Sequence, residues 1–317
     1  KRYRVGSIYT FNLPKMVAAM RKSVLYINGG GTLIQNATSW RSLWYYLFTL
    51  RLAKLLGNKV DMYGCGIGPV TGKKNIRLVK RVLDRSVDTI TLRETDSMKE
   101  LESFGVRRPE ILLSSDPALV LPPSPDLDVD AYLSRHGLEK GASTICFMLR
   151  TWYGFEEKAA AFAACADYAH QRYGLTPVFL SLNIFHDSSA AQKVVPYMKA
   201  PYHILDDGAE PELLIGVLGR MDVVVSMRLH GLIFSSLSGA PLVGVSYDPK
   251  IGSFLKYLEA GTCIDLKDVT AQDLEQAVDQ AVAALPQREA LRQKAQRLKD
   301  VERRNIQAVA KLLEREP

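Results

Sequence analysis

The sequence predicts a doubly wound α/β fold divided into two halves, and three observations predict it. Short apolar runs alternate with longer amphipathic stretches along the 317 residues. The runs are apolar at nearly every position, which is typical of parallel strands covered on both faces. The segment Leu121–Asp130 breaks the alternation with prolines and acids, so it predicts a linker between two α/β halves. A long surface loop inside one sheet is the alternative interpretation.

The apolar runs are the predicted strands, and the amphipathic stretches between them are the predicted helices. The strands are Val24–Ile27, Val60–Tyr63, Thr89–Leu92 and Ile111–Leu113, then Ile145–Leu149, Val178–Leu182, Val223–Met227 and Leu242–Val245. The helices are Trp40–Leu56, Asn75–Arg85, Asp96–Phe104, Glu156–Tyr173, Pro211–Met221, Leu232–Ser238 and Ala271–Ala284.

The predicted organisation has four parts: an N-terminal domain over 1–121, a linker over 122–130, a C-terminal domain over 131–287, and a C-terminal helix over 288–317. The chain opens at Lys1 with a basic, irregular stretch and no Met, so we expect a further segment to precede it. The tail, with its helix predicted over Arg288–Glu316, is rich in Arg and Lys. A narrow apolar stripe along it consists of Leu291, Leu298, Val301, Val309 and Leu312. We expect a solvated helix packed on the body, and a helix lying on a membrane surface is the alternative.

Composition limits the classes of function. Lys and Arg total 41 against 34 Asp and Glu, a net charge of +7. This moderate excess favours an anionic small molecule, a phosphate or an anionic membrane face. The 4 cysteines form no CxxC pair and no HExxH occurs, which argues against a disulfide framework or a metal site and fits a reducing cytosol. No apolar run approaches the roughly 18 residues of a spanning helix.

Glycine-rich loops follow two predicted strands of the first half. Gly29, Gly30 and Gly31 follow the first strand, and Gly66 lies in the segment Tyr63–Pro69 after the second. Glycines let a backbone bend sharply and approach a ligand closely, and such loops can hold anions. Neither loop has a dinucleotide or P-loop spacing, so tight structural turns are the alternative. We expect Cys65 to be a small buried side chain.

The most informative strand end is Val223–Met227, which runs directly into Arg228, Leu229, His230 and Gly231. Open α/β sheets bind ligands beyond the carboxyl ends of their strands. Arginine grips phosphate or carboxylate bidentately, and a helix N-terminus adds N–H donors. Histidine is suited to proton transfer near neutral pH. A histidine that only caps the helix is the alternative.

Charged residues follow four other predicted strands. Arg150 ends one apolar run, and Lys250 follows the run Leu242–Val245 through Ser-Tyr-Asp-Pro. Together with Arg228 they predict a site for a small, highly charged anion, although Lys250 can equally be a surface lysine that opens a helix. In the first half, Arg93-Glu94 and Asp116 end two strands. We expect these three residues to face a cleft, and capping of neighbouring helices is the alternative.

These motifs, in this order, resemble the polysaccharide pyruvyl transferases, and among them the CsaB-type enzymes of bacterial cell walls. The match runs from about Ser23 to Phe254. The residues that carry it are Gly29-Gly30-Gly31 with Leu33 and Gln35, Tyr63 to Pro69, Thr91 to Glu94 with Ser97, Asp116-Pro117-Ala118, and Ser226 to Gly231. The family's further first strand and its Gly-Asn-x-Gly-Asp-like loop have no counterpart in this sequence.

The resemblance implies a GT-B-like fold of two Rossmann-like domains facing a cleft. It implies transfer of the enolpyruvyl unit of phosphoenolpyruvate to two hydroxyls of a sugar, with a cyclic pyruvate ketal and phosphate as products. For CsaB-type enzymes the acceptor is N-acetylmannosamine on a lipid-linked disaccharide, and the product helps to anchor S-layer proteins. No cofactor and no metal are implied. We therefore expect a cytoplasmic enzyme with no nucleic-acid partner, and contact between its basic C-terminal helix and the inner membrane face is the alternative named above.

The family's Arg-Leu-His motif carries over onto Arg228, Leu229 and His230, and the other roles are assigned to the strand-end and glycine-loop candidates described above. His230 and Arg228 are the expected catalytic residues, with His230 as general acid or general base. The donor-binding set is Arg150, Arg228, Leu229 and Lys250. The acceptor-side or cleft set is Gly29, Gly30, Gly31, Gln35, Gly66, Arg93, Glu94 and Asp116.

Two other classes of protein share parts of this pattern. A GT-B glycosyltransferase that uses a nucleotide sugar has the same architecture and a similar histidine, but its donor needs a pocket for a base and a ribose. Phosphoenolpyruvate needs only a compact cationic pocket, which the three clustered basic residues favour. A non-catalytic carbohydrate- or nucleic-acid-binding protein predicts a basic stripe interleaved with aromatic residues, and the sequence lacks that pattern.

Overall fold

The computed structural model describes residues 5–37 and 39–314, apart from the side chains of Phe185 and His186. Within this range the chain forms two parallel sheets with helices between the strands, so the predicted α/β class is confirmed. The chain divides into two compact units, each with its own sheet. The first contains Lys1–Pro117 and Val301–Pro317, and the second contains Ala118–Asp300.

The first unit contains a five-stranded parallel sheet. Its strands are β1 (Leu25–Gly29), β2 (Thr32–Ile34), β3 (Lys59–Ile67), β4 (Thr89–Leu92) and β5 (Glu110–Leu113). Its helices are α1 (Leu13–Arg21), α2 (Trp40–Leu55), α3 (Lys73–Ser86) and α4 (Thr95–Phe104). The order is β1-β3-β4-β5, with β2 also paired to β3.

The second unit contains a six-stranded parallel sheet in the order β11-β10-β9-β6-β7-β8. Its strands are β6 (Thr144–Met148), β7 (Thr176–Leu180), β8 (His203–Leu205), β9 (Val223–Ser226), β10 (Leu242–Ser246) and β11 (Thr262–Asp265). Its helices are α5 (Asp126–Arg135), α6 (Phe155–Tyr173), α7 (Ile184–Val194), α8 (Pro211–Leu218), α9 (Leu229–Ser236), α10 (Lys250–Leu258) and α11 (Ala271–Ala283). A last helix, α12 (Arg288–Glu314), begins in this unit and ends in the first.

Burial of both sheet faces explains why the central strands of the second unit are apolar at nearly every position. Val224 of β9 and Cys146 of β6 lie in one hydrophobic core, whereas Val223 and Ile145, their neighbours in sequence, lie in another. Each strand therefore supplies alternate residues to two cores. This arrangement removes the alternating pattern that an exposed sheet face would require.

Every predicted strand overlaps an observed one, but the sequence reasoning missed several elements. The missed strands are β2, β8 and β11, which have only three or four residues. The missed helices are α1, α5 and α7, and α10 was expected only in the alternative interpretation of Lys250. The predicted helix Leu232–Ser238 begins earlier, at Leu229, because Arg228 already serves as its N-cap. The basic opening stretch was expected to be irregular, yet α1 begins after Asn12, whose side chain accepts the N–H of Lys15.

The segment predicted as a linker is only partly extended. Helix α5 begins at Asp126, directly after Pro125, and Asp126 and Asp128 lie in its first turn. Proline is tolerated at a helix start because no intrahelical N–H bond is lost there, and acids in a first turn interact favourably with the helix dipole. The prolines therefore mark the beginning of a helix rather than a long loop.

The C-terminal helix has the expected polar character with a narrow buried stripe. Leu298, Val309 and Leu312 of the predicted stripe are buried, and Leu291 and Val301 are partly buried. Lys59 of β3 donates a hydrogen bond to the carbonyl of Leu312. The predicted end at Glu316 lies outside the described residues, as does the opening residue Lys1. In the described part of the chain, none of the helices has the length and apolarity of a membrane-spanning segment.

Candidate functional site

The second sheet brings three basic side chains to its carboxyl edge. Strands β6, β9 and β10 are parallel neighbours, and Arg150, Arg228 and Lys250 follow their carboxyl ends. The chain reverses its direction of strand addition between β6 and β9, because β7 and β8 lie on one side and β10 and β11 on the other. Ligands of open α/β sheets bind at such a switch point. Arg150 and Arg228 therefore lie where a ligand is expected.

Arg228 is fixed at its backbone by the preceding strand. The Ser226 hydroxyl accepts a hydrogen bond from the Arg228 N–H and donates one to the Arg228 carbonyl, both at 2.9 Å. Arg228 is also the N-cap of α9. Its side chain is largely buried and its Nε lies 3.4 Å from Oδ2 of Asp187. The residue therefore leaves the strand in a defined direction at a helix N-terminus.

Asp187 is a site residue that the sequence reasoning missed. It lies in the first turn of α7, which follows β7, and only 2% of it is exposed. Burial raises the pKa of its carboxyl group, while Arg228, the N–H of Asn183 and Arg150 act in the opposite direction. The signal was available in principle, because Asp187 follows the carboxyl end of a strand beside β6, as Arg150 follows β6 itself.

Arg150 lies between two aromatic rings. Its Nη1 donates a hydrogen bond of 3.0 Å to the hydroxyl of Tyr247, and its guanidinium carbon lies 5.1 Å from the ring centre of Trp152 and 5.4 Å from that of Tyr247. The Lys250 ammonium also lies 5.4 Å from the Tyr247 ring. Cation–π contacts of this kind hold a cation in place without neutralising it. Tyr247 thus contacts two of the three basic residues in the predicted donor-binding set.

The remaining predicted residues of this unit differ in exposure. His230 lies in the first turn of α9, is exposed, and has its ring 5.9 Å from that of Phe234. Leu229 is packed in the hydrophobic core instead of lining a pocket. Lys250 begins α10 after Pro249, as the alternative interpretation expected, and its ammonium lies 3.1 Å from Oδ2 of Asp248.

The charged candidates of the first unit bind one another. Arg93 is 6% exposed and donates to Asp116 at 3.0 Å and to Thr32 at 3.1 Å, and its Nε lies 3.3 Å from Glu94. Glu94 also accepts a hydrogen bond from Ser97. Burial raises the pKa of Glu94, against the opposing effect of Arg93. These residues form a buried network, so they are assigned first to holding the strand ends together.

The glycines of the first unit serve two different purposes. Gly66 lies against the Arg93 network, and a Cβ there would come within 2.7 Å of the Thr32 hydroxyl. Gly30 and Gly31 have φ of 76° and 67° in the loop between β1 and β2, and space around Gly30 is open. Gly29 packs near Tyr63. Among the four predicted glycines, the Gly30-Gly31 turn therefore has the most open backbone for a ligand to approach.

The other candidates of this unit are partly or fully covered. Gln35 follows β2 and is partly buried, and Cys65 is fully buried, as expected. Burial raises the pKa of the Cys65 thiol to about 12, so it is not a nucleophile at neutral pH. Among the residues described here, no group of three or more His, Cys, Asp or Glu side chains could hold a metal ion.

Comparison with known proteins identifies both a family and a fold. The family model described as polysaccharide pyruvyl transferase matches residues 1–249. No curated protein sequence matches the chain significantly. A glycosyltransferase from Rickettsia africae has a similar structure, with a TM-score of 0.62 at 12% identity over 99% of this chain and 84% of its own.

Two further solved structures have the same architecture. HepE from Anabaena, in complex with UDP-glucose, aligns with a TM-score of 0.61 at 10% identity over 94% of this chain and 82% of its own. An α,α-trehalose 6-phosphate synthase from Burkholderia multivorans aligns with a TM-score of 0.51 at 12% identity over 100% and 80%. At such low identity the likeness concerns the fold, and it supports the prediction of two Rossmann-like domains.

Proposed function

The chain belongs to the polysaccharide pyruvyl transferase family, and we propose that it transfers the enolpyruvyl unit of phosphoenolpyruvate to two hydroxyls of a sugar. The observation that supports this proposal most directly is the cationic cluster of Arg150, Arg228 and Lys250 at the switch point of the second sheet. Phosphoenolpyruvate carries a phosphate and a carboxylate on three carbons. A compact group of cations, two of them guanidinium forks, matches that charge distribution.

The proposed reaction needs acid and base chemistry as well as cations. A proton adds to the methylene carbon of phosphoenolpyruvate, and a sugar hydroxyl attacks the adjacent carbon as it loses its own proton. Phosphate then leaves with the electron pair of its C–O bond, and the second hydroxyl attacks the same carbon and loses its proton. The products are one cyclic ketal and one phosphate.

The residues are assigned to these steps by their chemistry. His230, exposed in the first turn of α9, moves one of the protons. Arg228 and Lys250 stabilise the negative charge that develops on the leaving phosphate. Arg150 binds the donor carboxylate from its place between Trp152 and Tyr247.

The acceptor and its location belong to the same proposal. We assign the sugar acceptor to the first unit, with the open Gly30-Gly31 turn as its first candidate contact. Following the CsaB-type pattern, the acceptor is N-acetylmannosamine of a lipid-linked cell-wall disaccharide. The enzyme then works in the cytoplasm, beside the inner face of the membrane that carries this lipid.

A nucleotide-sugar glycosyltransferase is the second candidate function. Two solved structures of the same fold include UDP with glucose, or UDP-glucose, in complex with HepE. UDP also carries phosphates that a cationic cluster would bind. The two candidates differ in whether a base and a ribose contribute to binding, so the donor itself decides between them.

Thermal unfolding with added ligands tests the proposal. Phosphoenolpyruvate should raise the melting temperature of the native chain, because a ligand that binds only the folded state stabilises it by mass action. Arg228→Ala should abolish this rise. Arg220→Ala is a matched control, since Arg220 lies on the surface of the same unit and pairs with Asp126 and Asp130.

Two outcomes would contradict the donor assignment. A rise with UDP and none with phosphoenolpyruvate would favour the glycosyltransferase. An equal response in Arg228→Ala and Arg220→Ala would remove Arg228 from donor binding. Release of phosphate from phosphoenolpyruvate, measured only when a saccharide acceptor is added, would then test the transfer itself.

A further inference from the structure

The carboxylate of Asp187 lies beside Arg228 in the cationic cluster of Arg150, Arg228 and Lys250. Its negative charge there opposes the binding of an anion. Only 2% of Asp187 is exposed, and its Oδ2 faces Nε of Arg228 at 3.4 Å. The same Oδ2 accepts a hydrogen bond of 3.0 Å from the N–H of Asn183. A buried negative charge weakens the attraction of nearby cations for an anionic donor. The placement of Asp187 therefore calls for a function other than anion attraction.

The geometry of Arg228 indicates what that function is. Its Nε is the guanidinium nitrogen nearest Asp187 and forms an ion pair at 3.4 Å, whereas no hydrogen bond from Nη1 or Nη2 occurs among the residues that the structure describes. A guanidinium group is planar, so fixing Nε also fixes the direction of the two Nη groups. The two Nη groups together form one edge of the guanidinium, and that edge is left for an anion.

Asp187 is itself held in place by its surroundings, so it can fix the position of Arg228. It lies in the first turn of α7, and Asn183 fixes one of its oxygens. Its other oxygen, Oδ1, is buried without a hydrogen-bond partner in the described part of the chain. An isolated buried carboxylate is costly, and the nearby charges of Arg228 and Arg150 offset that cost. Asp187 and Arg228 therefore form an ion pair, and the charge of Arg150 also favours the ionised acid.

We propose that Asp187 is a positioning residue, which holds the Arg228 guanidinium by Nε so that both Nη groups face the donor phosphate as a bidentate fork. The proposal rests on the proposed function for the identity of the donor. The contact between Asp187 and Arg228 is independent of it. Two measurements therefore keep the two proposals apart.

The first measurement detects the contact between Asp187 and Arg228 in the absence of any ligand. The Nε–H signal of Arg228 is recorded in the ¹H–¹⁵N spectrum of arginine side chains and assigned by its absence in Arg228→Lys. A neighbouring carboxylate should shift this signal and slow its exchange with water. Asp187→Ala should remove the shift and the protection. Asp222→Ala is the control, because it removes a carboxylate from another arginine, Arg288, in the same unit.

The second measurement reads anion affinity, with phosphoenolpyruvate and inorganic phosphate as probes. Positioning predicts that Asp187→Ala weakens binding of both probes by about tenfold or more, a loss of about 1.4 kcal/mol, although a negative charge has been removed. Asp187→Asn keeps the shape and an oxygen near Nε but loses the charge, so it should weaken binding less than Asp187→Ala does. If Asp187→Ala does not fold, Asp187→Leu fills the space without an acceptor and replaces it.

The results separate the two proposals. Tighter anion binding by both Asp187→Ala and Asp187→Asn would show that the carboxylate only opposes the cations, and the positioning role would be wrong. An unshifted Nε–H signal in the native chain would also overturn it. The two proposals can also fail separately. If the native chain does not bind phosphoenolpyruvate but Asp187→Ala removes the shifted Nε–H signal, the assignment of phosphoenolpyruvate as donor is wrong. The positioning of Arg228 by Asp187 is then still supported.

Discussion

Replacing Asp61 by asparagine tests the cost of a carboxyl group enclosed in the first unit. Asp61 lies on β3 between β1 and β4 and is 0% exposed. Neither of its carboxylate oxygens has a hydrogen-bond partner among the described residues. Burial raises its pKa from 3.8 to about 7. Asparagine has the same shape and cannot ionise, so it removes the titration and little else.

The direction of the pH effect follows from proton binding. Between pH 3.8 and about 7, the folded chain holds a proton that the unfolded chain has released. Stability therefore falls as the pH rises through this window and changes no further above it. At about 1.36 kcal/mol per pKa unit, Asp61 costs about 4 kcal/mol at pH 8 and about 2 kcal/mol at pH 5.

Urea unfolding of both chains at the two pH values measures this difference. Relative to the native chain, Asp61→Asn should gain roughly 2–3 kcal/mol more at pH 8 than at pH 5. Other titrating groups are common to both chains and cancel. A difference that does not change with pH would refute the reasoning, because Asp61 would then titrate alike in both states.

A control variant has the opposite expected sign. The carboxylate of Asp167 is also buried but accepts hydrogen bonds from the N–H groups of Lys199 and Ala200. Asp167→Asn places an amide NH₂ against these donors and should destabilise the chain by about 1–3 kcal/mol. Comparing Asp61→Asn with Asp167→Asn therefore distinguishes a buried acid that has no hydrogen-bond partner from one that has partners.

The remaining predictions concern the switch point of the second sheet. His230→Ala should abolish turnover and leave the melting temperature nearly unchanged, because the side chain is exposed; turnover within a few-fold of native would exclude it from proton transfer. Gly231→Ala would put a Cβ 2.4 Å from the sulfur of Met148, and should cost roughly 1–3 kcal/mol in unfolding free energy. Gly252→Ala, whose nearest contact is an ordinary 3.5 Å, is its control and should be neutral or stabilising.

Much of the fold could be read from the sequence because buried parallel strands leave a simple pattern. Each of the eight apolar runs overlaps a strand, and in the central strands of the second unit burial on both faces excludes polar residues from most positions. The shortest strands have too few residues to show a recognisable hydrophobic pattern. Strand β8 has three residues, and helix α7 was missed altogether. Helix α5 was missed because the prolines before it predicted a linker, whereas Pro125 is the N-cap of this helix.

The candidate site was only partly predictable for the same kind of reason. Arg150, Arg228 and Lys250 were selected because each follows an apolar run, and the strand order then placed their strands side by side. Arg93, Glu94 and Asp116 satisfied the same rule, yet they bind one another in the first unit. A strand end places a charge at the edge of a sheet, but it does not determine what that charge contacts.

The sequence by itself determined the α/β class, the strands that carry charges at their ends, and the family. It did so because periodicity and short motifs are local properties of the chain. Only the tertiary structure decided that Arg228 meets Asp187, that Tyr247 joins Arg150 to Lys250, and that Asp61 is enclosed without a partner. Such contacts depend on strand order and on helix packing between distant segments, and no local pattern records them.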